Sequence, residues 1–116
     1  MFNITKRPNL DAINKHGGLN ISYPRLAFIN GERDPWRAVT PHRIGMPPRE
    51  STLSEPFILI KGAVHHWETE GLLPSESKPG LPPCEVVAAQ ESIVAFVKGW
   101  MNQWEDEKAL TRLLVQ

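Results

Sequence analysis

An acid and a pair of histidines each follow a few residues after a short apolar segment of this chain. Asp34 comes after residues 25–30, and His65 and His66 come after residues 57–61. Both apolar segments have the length and composition of buried β-strands. Because the carboxyl ends of parallel strands meet at one edge of an open α/β sheet, we expect the acid and a histidine to lie together there. A carboxylate that orients an imidazole is the acid–base half of a hydrolytic triad.

In such a triad the histidine takes a proton from a serine hydroxyl and returns it to the leaving amine. Each half of the pattern also has an ordinary explanation. Asp34 stands before Pro35 at a predicted helical turn, where an aspartate often only caps the helix by accepting a backbone N–H. A histidine in a loop is often only solvated. The order of acid and then histidine, each after a strand, is what favours catalysis over these alternatives.

The connections between the elements are rich in glycine and proline. Gly31 is predicted to adopt a positive φ, which permits a sharp exit from the first strand. Residues 38–55 contain too many prolines for a long helix but are long enough to cross over between parallel strands. Residues 57–61 are apolar on both faces, as in an inner strand of a parallel sheet.

Residues 85–104 are the strongest predicted helix, with Glu85 favourably placed at its N-terminus. Residues 110–114 would extend it as a short amphipathic tail. Trp36 and Trp67 are predicted to pack loops onto the core. The apolar residues of the helix recur at three- and four-residue intervals and predict one buried stripe: Val86, Ala89, Ile93, Val97, Trp100 and Trp104.

The composition excludes several classes of function. Thirteen basic and thirteen acidic residues cancel, and no basic stripe indicates nucleic acid or a membrane surface as a partner. Cys84 is the single cysteine, so it can form no internal disulfide, and it is predicted to pack as a small apolar residue. His16 and His42 have no surrounding pattern and are assigned no role. The 116 residues suffice for one domain.

A metal site formed by His65, His66 and Glu68 is an alternative. It is disfavoured because adjacent side chains of an extended segment point in opposite directions, whereas a site normally needs three converging ligands. No organic cofactor is predicted.

Residues 1–15 lack the apolar core of a signal peptide, and no apolar run approaches the length of a membrane span. Two N-glycosylation sequons, at Asn3 and Asn20, would be used only in a secreted chain.

Two strands and one long helix do not complete a sheet domain, because an isolated strand pair is marginally stable in water and leaves open edges. We therefore expect one partial α/β domain, at one end of a larger sheet. Its irregular lead-in comprises residues 1–24, its strands and helix residues 25–104, and its tail residues 105–116.

The run Asn30-Gly31-Glu32-Arg33-Asp34-Pro35-Trp36, followed by Gly62-Ala63-Val64-His65-His66, resembles the end of the prolyl-carboxypeptidase and dipeptidyl-peptidase II family of serine peptidases. The fungal branch, with arginine after Asp-Pro-Trp, is the most similar. The resemblance covers about residues 22–104. It implies the C-terminal portion of an α/β-hydrolase fold, namely the last two parallel strands plus the closing helix, with the sheet incomplete.

The resemblance also implies roles for the site residues. Asp34 matches the triad aspartate and His65 the triad histidine. His66 is the alternative, because Val64 is an extra residue relative to the family motif. The resemblance further implies a peptide substrate, no metal or organic cofactor, and a secreted or vacuolar location, although the chain made as it stands, without a signal peptide, would be cytoplasmic.

The chain departs from the family in its serines. The family orders its triad as Ser, Asp and His, with the serine in a G-x-S-x-G turn. None of the serines here lies in that motif: Ser22, Ser51, Ser54, Ser75, Ser77 and Ser92. We therefore predict a portion of a serine exopeptidase whose parent cleaves next to proline, and no turnover by this chain alone. The alternatives are a non-catalytic module that docks its open sheet edge onto a partner strand, and a small metal-binding protein.

Overall fold

The computed structural model describes residues 5–114, which form two strands, two helices and three single 3₁₀ turns. The strands are β1 (Phe28–Gly31) and β2 (Phe57–Ile60), the helices are α1 (Leu10–Asn14) and α2 (Cys84–Leu114), and the 3₁₀ turns span Gly18–Asn20, Pro35–Val39 and Trp67–Thr69. Residues 1–4 of the predicted lead-in, with the sequon at Asn3, and residues 115–116 of the predicted tail lie outside the described part.

The two strands pair in parallel, with Phe28 opposite Phe57 and Gly31 opposite Ile60. This arrangement is compatible with a partial α/β domain. The first strand begins later than predicted, because Arg25 has a φ of 65° and cannot continue an extended segment. The second ends at Ile60, whose carbonyl accepts the N–H of Ala63 in a turn.

The core lies between β2 and the first turns of α2. Ile60, Ala63 and Ala89 form its buried centre, and the half-buried Ile29 and Trp67 pack against it. The prediction that Trp67 packs on the core is therefore confirmed. Because the site loops leave this core directly, the same packing that stabilises the strands also determines where the loops begin.

Helix α2 is longer than predicted and buries less of its stripe. It continues past Trp104 to Leu114, and residues 101–114 are all exposed. Within the predicted stripe, Val97 and Trp104 are exposed, whereas Phe96 is buried instead. The far half of the helix extends beyond the small sheet, so no other strand or helix among residues 5–114 covers its apolar side chains.

Cys84 is also exposed, and its thiol donates to a carboxylate oxygen of Glu85. The prediction that it packs as an apolar residue is wrong, because the first residue of α2 lies at the edge of the core.

The radius of gyration of 18.9 Å exceeds the roughly 13 Å typical of a compact domain of this length. Across residues 5–114, no helix has the length and apolar content needed to span a membrane.

Candidate active site

Asp34 is held by the turn that follows β1. Its side chain is 3% exposed, and it immediately precedes the 3₁₀ turn whose first residue is Pro35. Asp34 Oδ1 accepts the backbone N–H of Trp36 at 2.8 Å. The capping role considered from the sequence is thus present, with one of the two carboxylate oxygens.

The second oxygen makes the contact expected of a catalytic acid. Asp34 Oδ2 lies 2.8 Å from His65 Nδ1. Because the carboxylate can only accept, Nδ1 carries the proton, and a neutral His65 therefore has its free lone pair on Nε2. The His65 side chain is 44% exposed, so the imidazole reaches from a buried acid towards solvent. The two interpretations of Asp34 are compatible, one for each oxygen.

The surroundings of Asp34 favour its ionised form. Burial by itself raises the pKa of this carboxyl group. The hydrogen bonds from His65 and from the Trp36 amide, together with the positive charge that His65 and His66 can carry, outweigh burial and leave the pKa below its usual value. At neutral pH Asp34 is therefore an ionised acceptor that fixes the orientation of His65.

His66 is positioned differently. It has a φ of 56° and precedes the turn Trp67–Thr69, and its ring centroid lies 3.7 Å from that of His65. The structure brings His65, and not His66, to the acid.

Trp36 is 62% exposed, with its ring centroid 6.4 Å from that of His65, so the prediction that it packs on the core is wrong. The turn begun by Pro35 leads its side chain out of the core.

The loops after the two strands are joined by hydrogen bonds as well as by the Asp34–His65 contact. Glu32 N donates to Ile60 O, and Arg33 N donates to Ala63 O, both at 2.9 Å. The N–H of Gly62 donates to Glu32 Oε2 at 2.8 Å. The relative position of the acid and the histidine is thus set by contacts of their loops.

Gly31 is required for a reason other than the one predicted. Its φ is not positive, so the prediction of a positive φ at Gly31 is wrong. A Cβ at this position would lie 2.5 Å from both Ala63 O and Val64 O. Gly31 therefore allows the backbone of the histidine loop to approach the end of β1.

No serine hydroxyl within residues 5–114 hydrogen-bonds to His65. The hydroxyl of Ser22 donates to Glu55, that of Ser92 donates to Ala88 O, and that of Ser51 accepts the N–H of Phe57. The same part of the chain contains no group of three or more His, Cys, Asp or Glu side chains able to hold a metal ion.

His42 is the residue that sequence reasoning missed. It is 7% exposed, its ring stacks on Phe57 at a centroid distance of 3.8 Å, and its Nδ1 lies 2.9 Å from Asn30 Oδ1. It connects the crossover to the Asn-Gly end of β1 and so supports the acid loop. The sequence carried no signal for this role, because the contacts join residues far apart in the chain.

Burial, followed by repulsion from Arg37 and Arg49, lowers the pKa of His42 to about 4. Since its pKa in the unfolded chain is near 6.5, the unfolded state binds more protons between these values. The stability that His42 contributes is therefore complete above pH 6.5 and is lost as the pH falls to 4, by up to about 3 kcal/mol.

NMR titration of the His42 ring is expected to give a midpoint near pH 4. Urea unfolding should show that the free energy of unfolding decreases between pH 7 and pH 4. His42→Phe, which keeps a ring against Phe57, should remove this part of the pH dependence. A titration midpoint near 6.5 would contradict the burial.

Three fungal proteins are similar to this chain. It is 44% identical over 101 residues to a probable extracellular serine carboxypeptidase of Arthroderma benhamiae, covering 87% of this chain and 14% of that protein. It is 45% identical over 58 residues to the serine protease vicPa of Bipolaris victoriae, covering 47% of this chain and 11% of that protein. It is also 45% identical over 51 residues to the serine protease vicPb of the same fungus, covering 42% of this chain and 10% of that protein.

No protein-family model and no solved structure matches the chain. The chain spans about one seventh, or less, of the length of these relatives. Their names support a serine peptidase family, as the motif predicted, and the extracellular carboxypeptidase is consistent with a secreted protein.

Proposed function

We propose that this chain is the acid- and histidine-bearing portion of a secreted serine exopeptidase, built as the C-terminal portion of an α/β-hydrolase fold. The observation that carries the proposal is the 2.8 Å contact between a buried, ionised Asp34 and His65 Nδ1. The similarity to a serine carboxypeptidase and two serine proteases supports it.

In this function His65 Nε2 takes the proton of a serine hydroxyl as that oxygen attacks the scissile carbonyl. The imidazolium formed is stabilised by the Asp34 carboxylate and then gives its proton to the leaving amine. Asp34 needs to stay ionised throughout, and its lowered pKa suits that role.

The serine nucleophile comes from a polypeptide segment outside these 116 residues, because no serine here lies in a G-x-S-x-G turn. That segment would also extend the sheet. The N–H groups of Phe28 and Glu32 donate towards β2, so the backbone of the alternate residues Ile29 and Gly31 faces the other edge of β1. Within the described residues no second strand pairs there. We assign this edge to a partner strand of the longer polypeptide.

The finer specificity, cleavage next to proline as a carboxypeptidase or dipeptidyl-peptidase, rests on the resemblance of residues 30–36 to the family motif. The same resemblance is the basis for proposing a peptide substrate and a secreted or vacuolar location. A non-catalytic module derived from the same scaffold is not favoured, because all three relatives are named as peptidases.

The 116-residue chain alone is expected to hydrolyse no peptide at an enzymatic rate, because removing the nucleophile eliminates nearly all of the chemical rate of a triad. The measurement is product release from peptides that carry proline before the last residue or at the second position. Turnover by the chain that disappears in both Asp34→Ala and His65→Ala would contradict this expectation.

The proposed function is tested in a hybrid in which this chain replaces the matching segment of the Arthroderma benhamiae relative. The hybrid is expected to be secreted and to hydrolyse the peptides that the intact relative hydrolyses. A folded hybrid without activity, beside an active relative, would overturn the proposal.

A further inference from the structure

We propose that Glu32 is a positioning residue that holds the His65 loop against the Asp34 loop, an inference that rests on the proposed function. Glu32 lies two residues before the acid, and its Oε2 accepts the N–H of Gly62, three residues before the histidine. The side chain therefore crosses from one catalytic loop to the other.

Other contacts between the loops are made by the backbone or by the catalytic pair itself. Two of them join backbone N–H groups of Glu32 and Arg33 to the carbonyls of Ile60 and Ala63, and the third is the Asp34–His65 hydrogen bond. Among these contacts, only that of the Glu32 carboxylate can be removed by a substitution that leaves both the backbone and the catalytic pair in place.

The partner of Glu32 lies at a turn that needs an anchor. Gly62 has a φ of 70°, and within residues 5–114 no atom beyond Gly62 and its two chain neighbours lies within 4 Å of the position that a Cβ would occupy. At Gly62 the turn therefore has no steric contact on that side, although Ile60 and Ala63, which flank it, are buried. The Glu32 carboxylate restrains this turn through its N–H, and the chain then continues through Ala63 to His65.

The backbone of the loop that carries Glu32 is itself restrained by a hydrogen bond from Arg37. Arg37 donates from Nη1 to Glu32 O at 3.1 Å and from Nε to His42 O at 2.8 Å. The Glu32 backbone is thus tied to the crossover, which is stacked on β2 through His42 and Phe57. A carboxylate on this supported backbone can restrain the histidine loop, whereas a side chain on a loose loop could not.

The expected effect is on the alignment of His65 and not on the binding of substrate. A displacement of about 1 Å in a catalytic group can lower the rate by roughly 100-fold. Because Glu32 is exposed and two backbone hydrogen bonds between the loops remain, the displacement on losing its carboxylate should be smaller. We expect Glu32→Ala to lower kcat by about 10-fold, with KM unchanged within about twofold.

The test compares Glu32→Ala, Glu32→Gln and Glu105→Ala in the hybrid with the Arthroderma benhamiae relative. Glutamine keeps a side-chain oxygen that can accept the Gly62 N–H, so kcat should stay within about threefold of the unmodified hybrid. Glu105→Ala removes an exposed carboxylate from the far half of α2 and should leave kcat unchanged. Equal kcat values for Glu32→Ala and the unmodified hybrid, or a change confined to KM, would overturn the proposal.

A second readout does not depend on activity. In the hybrid labelled with ¹⁵N-histidine, the Nδ1–H of His65 should give a downfield proton resonance from its hydrogen bond to Asp34. Glu32→Ala should weaken or shift that resonance, and Glu32→Gln should preserve it. If the hybrid is inactive, or if Asp34→Asn leaves its activity intact, the proposed function fails while this resonance still tests Glu32. If the resonance is the same in the unmodified protein, Glu32→Ala and Glu32→Gln, the inference about Glu32 fails.

Discussion

Replacing Asp34 with asparagine is expected to lower kcat of the hybrid by about four orders of magnitude, as the equivalent change does in a chymotrypsin-type triad. The structure supplies the reason. Asp34 Oδ1 is committed to the N–H of Trp36, so the side-chain oxygen of asparagine must stay on that side and its NH₂ group must face His65. Since an NH₂ group can only donate, His65 Nδ1 would have to accept. The proton would then move to Nε2, where no lone pair would remain to receive the serine proton.

The measurement is kcat for a proline-containing peptide, together with the ¹⁵N shifts of His65, which report the tautomer directly. The matched control is Asp106→Asn, which changes an exposed carboxylate on the far half of α2 and should leave both unchanged. A folded Asp34→Asn hybrid with kcat within tenfold of the unmodified hybrid would show that Asp34 caps its turn without serving the histidine.

Replacing Gly31 with alanine is expected to lower kcat by roughly 100-fold or more and the free energy of unfolding by about 1–3 kcal/mol. The added Cβ would lie 2.5 Å from the carbonyl oxygens of Ala63 and Val64. Both are backbone atoms, so no side-chain rotation can relieve the contact. The histidine loop would have to move away from the end of β1, which would lengthen the Asp34–His65 hydrogen bond.

Gly71→Ala is the control, because a Cβ there would meet no atom of the described residues within 4 Å, apart from its chain neighbours, and its φ is not positive. Activity and urea unfolding of the two variants separate a loss of alignment from a general cost of alanine. If Gly31→Ala retains both the activity and the stability of the Gly71→Ala protein, the close approach of the two loops is not needed for the function.

Much of the site could be predicted because its parts are local in sequence. An apolar run followed by Asp34 and Pro35 predicts a strand that ends in a capped turn, and the structure has both. The second apolar run, separated by a connection of crossover length, predicts a parallel partner, and the strands do pair in parallel. The serine peptidase family could be inferred from the residues around Asp34, and the relatives support it.

Other features depended on which distant residues meet. The buried stripe of α2 was predicted to Trp104, but burial needs an opposing surface, and the small sheet provides none for residues 101–114. The exposure of Trp36 and of Cys84 has the same origin, since both lie where the packed core ends. Periodicity shows which side chains share a face, but not whether that face is covered.

The sequence by itself thus determined the order of acid and histidine, the two strands that carry them and the turn that caps the acid, because each follows from neighbouring residues. Only the tertiary structure decided that His65 rather than His66 meets Asp34, that Gly31 is needed for close approach, that Glu32 reaches Gly62 and that His42 is buried. The contacts of His65, Glu32 and Gly31 join residues about 30 positions apart, and they form because the parallel pairing of β1 and β2 brings the loops after both strands to one edge. His42 is buried by a different contact, its stacking on Phe57 at the start of β2.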